Sequence, residues 1–267
     1  MDAWRDVIKN KKRLIFSFEE RAQIRLNTIK DQIYAQRQSL VDWQIREGYF
    51  LEIGQVEYID PDWRTINPGD PWGGVDITAF FNRQIEIPAD WQGEKVYLRF
   101  YVGGDSLLSI DGIPYQGMDP FRNEVLLTNK AQGAESFFVE VESYVNWHSD
   151  EATNKRLHIA EIAVLDQEIF DAYWDFWCAY KLLWIKGMLP EMRIYLEKHL
   201  WDALKLVPPK IEPGIDFKAQ LLSAQSQLQN TIYDSDLFKI PGKINLVGHS
   251  HLDLVFMWTY REFIRKV

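Results

Sequence analysis

The stretch that decides the fold is Lys95-Val96-Tyr97-Leu98-Arg99-Phe100-Tyr101-Val102-Gly103-Gly104-Asp105-Ser106-Leu107-Leu108-Ser109-Ile110-Asp111-Gly112. Its first half alternates, with Val96, Leu98 and Phe100 on one face, and a period of two marks a half-buried strand. The second half is a short run ending at Asp111-Gly112, a dipeptide suited to a tight hairpin turn.

Working outward, runs of the same kind recur. Ile77–Phe81 precedes the stretch, and Glu124–Leu127, Ser136–Val141 and Leu157–Val164 follow it. All are rich in β-branched and aromatic residues, and Gly, Pro, Asn and Asp separate them. No helical period intervenes, so the pattern predicts a jelly-roll-like antiparallel β-sandwich over residues 49–165.

The flanks read differently. Ser17-Phe18-Glu19-Glu20 fits a capping box opening a helix from Phe18 to Ala35, within an N-terminal helical segment at 1–48. A helical linker is expected over 166–239, with helices at Asp166–Lys186, Pro190–Val207 and Asp216–Tyr233. Pro208-Pro209-Lys210-Ile211-Glu212-Pro213-Gly214 breaks the second from the third. In the last segment, 240–267, Ile244–Val247 has the length and apolarity of a buried strand, and Leu254–Val267 reads as the start of a helix. The fold class is α+β.

Composition narrows the functions. The chain has 267 residues, and its 39 acidic against 30 basic residues give a net charge of −9. That excludes a general nucleic-acid binder, which needs a basic stripe to neutralise phosphates. The single cysteine, Cys178, rules out an internal disulfide and is expected to be an inert thiol in an apolar core. No apolar leader segment or membrane-spanning run is seen, so a cytoplasmic protein is expected. Eleven tryptophans are many. Trp63, Trp72 and Trp91 sit near predicted turns, where they either form a sugar platform or pack between domains. Trp174, Trp177, Tyr180, Leu183 and Trp184 are too apolar for an exposed helix, so burial against another domain or another subunit, as in a homo-oligomer, is expected. His148, His158 and His199 have no partner pattern and are read as structural or surface residues.

Candidate chemistry is concentrated in Val247-Gly248-His249-Ser250-His251-Leu252-Asp253. Residues two apart in an extended segment project to one side, so His251 and Asp253 can aim an imidazole nitrogen and a carboxylate oxygen at one cation. Two ligands fall short of the three that a catalytic zinc site uses. A Ser-His-Asp triad from Ser250, His249 and Asp253 is disfavoured, since sequence neighbours rarely form one and no nucleophile elbow is present.

The longer string, followed by an aromatic-rich run with Trp258, resembles the zinc-binding signature of glycoside hydrolase family 38, the α-mannosidases. The middle of the chain resembles the region ahead of that family's catalytic domain at Trp72-Gly73-Gly74, Ile87-Pro88, Gly103-Gly104-Asp105 and Asp111-Gly112-Ile113-Pro114-Tyr115-Gln116-Gly117-Met118-Asp119. The resemblance implies that His251 and Asp253 are two zinc ligands, a half-site. It also implies that 240–267 holds the first strand and helix of a truncated, barrel-like α/β catalytic domain. No catalytic residue is assigned: the nucleophile, the acid/base and the remaining ligands are expected after Val267. The family is retaining, with an oligosaccharide substrate, a carboxylate nucleophile and a second carboxylate as acid and then base.

Two positions depart from the family pattern. Val255-Phe256 stands where a small residue and a sugar-stacking Trp are usual, so Phe256 becomes the substrate-binding candidate. Asp119-Pro120-Phe121-Arg122 stands where the family has Asp-x-x-His. The competing reading is a non-catalytic module that binds carbohydrate, or that packs against the missing catalytic domain and a partner subunit.

Overall fold

The computed structural model describes residues 17–236, apart from 53 and 145–154, together with 243 and 245–248. Two compact units emerge: a helical one joining the chain up to Tyr34 with Asp166–Ile244, and a β unit of Ala35–Leu165 grouped with the chain from Asn245. Among the described residues no helix is long and apolar enough to cross a membrane.

In the helical unit, α1 (Phe18–Asp31) opens with the expected capping box. The Glu20 amide donates to Ser17 Oγ at 3.1 Å, and the Ser17 amide donates to the Glu20 carboxylate at 2.7 Å. Two of the amides that a helix start leaves unpaired are satisfied in this way. The spacing of Ala22, Leu26 and Ile29 turns one stripe inward, and all three are fully buried. Helix α2 (Gln167–Leu182) is N-capped by Asp166, and α3 (Pro190–Leu204) starts on a proline whose missing N–H costs nothing there. Helix α4 (Phe217–Leu228) is capped by Asp216 and runs into a π-helical turn at Gln229–Tyr233.

Helix α1 ends at Asp31, not Ala35, because the next residues enter a strand, β1 (Tyr34–Ser39). The β structure therefore begins well before residue 49, and β2 (Trp43–Glu52) is also under way by then. After β2 come β3 (Gln55–Tyr58), β4 (Arg64–Ile66), β5 (Pro71–Trp72) and β6 (Thr78–Glu86). The deciding stretch forms β7 (Val96–Tyr101) and β8 (Asp105–Ile110), followed by β9 (Ile113–Met118) and β10 (Glu124–Thr128). β11 (Ser136–Tyr144), β12 (Lys155–Arg156) and β13 (Ile159–Leu165) complete the unit.

The expected sandwich is present as an antiparallel jelly roll. One sheet has the order β1-β13-β7-β10; a larger one runs β3-β2-β6-β11-β8-β9, with β4 also on β2. A small pair, β12 and β5, stands beside them. The alternation read from the sequence is realised in β7, where Val96, Leu98 and Phe100 are buried and Tyr97, Arg99 and Tyr101 are not. These three meet Ile45, Phe81, Ile85, Leu108, Val139 and Val141 of the larger sheet in one continuous core. Phe100 packs at 4.4 Å from Trp43 and 6.0 Å from Phe81, centroid to centroid.

The turn at Asp111-Gly112 has φ of 50° and 77°, the paired positive values of a type I′ hairpin. Asp111 tolerates it because its carboxylate accepts from the Phe138 amide at 2.9 Å. Gly104 has a different reason to be glycine. A Cβ there would lie 2.6 Å from both Ser143 Oγ and the Tyr144 carbonyl oxygen, so only hydrogen fits.

Candidate functional site

His251, Asp253 and Phe256, with His249 and Ser250, lie outside the described residues. So do Ile244 and the helix expected at Leu254–Val267. Asn245, Leu246 and Val247 of the expected buried strand are described. They pair with no strand, and Leu246 and Val247 are 92% and 85% exposed. An apolar strand of this kind is buried only between neighbouring strands, and none of the described strands pairs with it. Nor is there a closed barrel among the described residues.

The fit of a metal to the chain can be judged from donor chemistry. Imidazole and carboxylate suit zinc, but two donors do not complete a site. Among the described residues no group of three or more His, Cys, Asp or Glu could hold an ion. His158 is stacked on Tyr101 at 5.3 Å and His199 lies tilted against Tyr195 at 4.1 Å, consistent with structural roles, while His148 lies outside the described residues.

Of the three turn tryptophans, two are core residues. Trp72 and Trp91 keep only 3% and 4% of their surface, and Trp72 Nε1 donates to the Val102 carbonyl at 2.8 Å. Trp63 alone remains available, at 42% exposure. It borders a surface depression of about 260 Å³ on the outer face of the larger sheet, lined also by Tyr58, Phe80, Asn82, Leu107, Glu140 and Glu142.

Strand register builds that face. Arg46, Phe80, Glu142 and Leu107 stand opposite one another across β2, β6, β11 and β8, and the next outward row is Gln44, Asn82, Glu140 and Ser109. The residues between these rows, Ile45, Phe81, Val141 and Leu108, are buried on the other side. Period two therefore gives the sheet an apolar inner face and an outer face mixing aromatic and acidic side chains. Tyr58 meets Phe80 edge to face at 5.9 Å, and the Arg46 guanidinium lies over the Tyr58 ring at 3.5 Å. Only Trp63 of this set was flagged by the sequence. Outward strand residues acquire meaning only when the register groups them.

The Asp119–Arg122 turn explains one departure from the family pattern. Arg122 Nε and Nη2 donate to Asp119 Oδ2 at 2.9 and 2.7 Å, while the Phe121 and Arg122 amides donate to Oδ1 at 2.8 Å each. Partial burial pushes the Asp119 carboxyl up, but these hydrogen bonds outweigh it and hold the group below the usual carboxylate range. The arginine thus closes the turn from within and leaves Phe121 95% exposed at its tip.

In the helical unit, Cys178 is exposed rather than in the core. Its sequence neighbours are apolar, but on a helix the inward stripe is Ala172, Tyr173, Phe176, Ala179 and Tyr180, and Cys178 falls off it. Tyr180 and Leu183 are buried within this chain itself, whereas Trp174 and Trp184 are 44% and 54% exposed. Burial buries one stripe of an aromatic helix and leaves the rest. Tyr233 donates to the Asp175 carbonyl at 2.7 Å, and its burial pushes the phenol well above its ordinary pKa.

Residues 44–163 match the family model "Alpha-mannosidase, jelly roll domain" of the Ams1-like type. Alpha-mannosidase 2C1 of Homo sapiens is 22% identical over 79% of this chain and 21% of its own length. Alpha-mannosidase G of Dictyostelium discoideum is 19% identical over 80% of this chain and 21% of its own. The chain thus spans about a fifth of the length of these curated relatives. A solved glycosyl hydrolase family 2 member from Bacteroides cellulosilyticus gives a TM-score of 0.36 at 12% identity, covering 50% of this chain and 21% of that one. The β unit thus matches the α-mannosidase jelly-roll model, in line with the resemblance.

Proposed function

We propose that the chain is the N-terminal part of a retaining, zinc-dependent α-mannosidase that hydrolyses terminal α-linked mannose from oligosaccharides. The observation that carries this reading is the jelly-roll match over 44–163, in a chain that also carries the string Val247–Asp253. His251 and Asp253 are the residues of this chain that would hold the zinc, and Phe256 the one that would meet the sugar. When bound, the metal orients sugar hydroxyls and offsets charge on them. The bond-breaking carboxylates belong to the remainder of the protein, since a retaining mechanism needs two of them about 5 Å apart. The role of this chain is then to supply the scaffold and one edge of the site. Cytoplasmic localisation belongs to the same reading.

The test is to assay an aryl α-mannoside with the whole protein and with the 267-residue chain side by side. The whole protein should turn over and lose activity on chelation, and the 267-residue chain should not. His251→Ala or Asp253→Ala in the whole protein should abolish turnover and lower its zinc content. Full activity and unchanged zinc after Asp253→Ala would refute the assignment.

A further inference from the structure

The depression on the outer face of the β unit has the chemistry of a small binding site. We propose that it binds a single neutral pyranose ring. One wall is aromatic: Trp63, Tyr58 and Phe80. Facing it along the strands are polar groups, the Glu140 and Glu142 carboxylates with Asn82 and Ser109. A pyranose has the matching asymmetry. Its axial C–H groups form an apolar face that stacks on an aromatic ring, and its rim of hydroxyls donates to carboxylates.

Size and charge narrow the ligand. At about 260 Å³ the space lies just under the usual ~300–1,000 Å³ of small-molecule pockets, which suits one ring and not a folded chain segment. Charge argues against an anionic ligand, which would meet Glu140 and Glu142. The Arg46 guanidinium over the Tyr58 ring at 3.5 Å already occupies one aromatic face that a cation would seek. A neutral, hydroxyl-rich ring uses both the remaining aromatic wall, Trp63 and Phe80, and the acceptors facing it. The inference does not depend on the mannosidase reading, because the groups that carry it all belong to the jelly roll.

The experiment titrates the 267-residue chain with methyl α-mannopyranoside, methyl β-glucopyranoside, glucosamine, glucuronate and a pentalysine peptide. The readout is the Trp63 indole N–H resonance, assigned by its loss in Trp63→Phe. At least one neutral pyranoside should shift it saturably with a Kd of ~1–10 mM, and the charged probes should bind about tenfold more weakly or not at all. Trp63→Ala should weaken the neutral probe about tenfold, and Glu140→Gln, on an exposed strand position, should weaken it measurably. Binding in Trp63→Ala is read from the remaining shifted amides. The proposal is overturned if neither neutral probe shifts the resonance up to ~100 mM, if both variants bind as the parent does, or if pentalysine or a charged sugar binds most tightly.

Discussion

In the β unit, Trp43, Phe81 and Phe100 keep at most 1% of their surface, while in the helical unit Trp174 and Trp184 keep 44% and 54%. Both regions are rich in aromatic rings, and the geometry of the elements decides how many can be hidden. A sandwich offers two facing sheets, so every inward position meets a partner and large rings interlock. A helix offers one stripe against its neighbours, so a segment such as Tyr173-Trp174-Asp175-Phe176-Trp177 must leave some rings outside. The same residue type is thus structural in one region and surface in the other. That difference is measurable.

The largest expected effect tests the closed core. Phe100→Ala removes a ring packed between Trp43 and Phe81 and should lower the stability of the β unit by about 3–5 kcal/mol. Trp174→Ala, which loses edge contacts to Phe170 and Tyr173, should cost about 1 kcal/mol or less. Urea denaturation followed by circular dichroism compares them. Equal losses would break the contrast.

Next comes the backbone that lets neighbouring strands approach. Gly104→Ala places a methyl 2.6 Å from Ser143 Oγ and the Tyr144 carbonyl, a clash with backbone that cannot rotate away. A loss of about 1–3 kcal/mol is expected. Gly117→Ala, whose Cβ would meet nothing within 4 Å, is the matched control in the same sheet. If the two variants melt together, the close approach at Gly104 does not constrain the unit.

What the sequence revealed follows the same division. The strands with buried inward residues, β7 and β11 above all, were legible because burial forces period two onto their composition. β1 was not. Its sequence Tyr34-Ala35-Gln36-Arg37-Gln38-Ser39 is almost entirely outside the core, so nothing in it alternates, and only its place beside β13 makes it a strand. The α1 capping box was legible to the residue, because capping is local chemistry. The outer-face depression was legible only at Trp63, because its remaining walls come from four strands whose register no local pattern states. Cys178 was misread because neighbours in sequence are not neighbours on a helix surface.

A smaller effect belongs to the helical unit. Asp166 caps α2 and also accepts from Lys218 Nζ at 2.8 and 3.0 Å. Asp166→Ala should cost about 0.5–2 kcal/mol through the lost cap. Asp166→Asn keeps a capping oxygen and isolates the charge. The hydrogen bonds that Lys218 donates to Asp166 and then Glu168 raise its pKa, a shift opposed by slight burial. A raised amine contributes stability that is fully present below its unfolded pKa of about 10.4 and lost as pH rises through the folded value. The parent should therefore lose a little more stability than Asp166→Asn above pH ~10. Because Lys218 is largely solvated, the difference should be small and salt-sensitive. A pH-independent difference between them would assign Asp166 to capping alone.

The smallest expected effect is none at all, and it separates folding from metal binding. The β unit is closed by rings and aliphatic side chains, and among the described residues no cluster of His, Cys, Asp or Glu could bind an ion. A structural metal contributes to folding outright, so its removal would be conspicuous. Melting curves of the 267-residue chain with and without EDTA should coincide to within about 1 °C, which at this size corresponds to a few tenths of a kcal/mol. On the proposed reading, the same chelator added to the whole protein should abolish mannoside turnover while leaving the β transition where it was. That pairing matters more than either result alone. On the proposed reading His251 and Asp253 supply two ligands, too few for a zinc site by themselves. Metal affinity is therefore expected where further ligands are supplied, not in the jelly roll. A chelator that melted the β unit would move the metal into the sandwich and leave the half-site at His251 and Asp253 without its role.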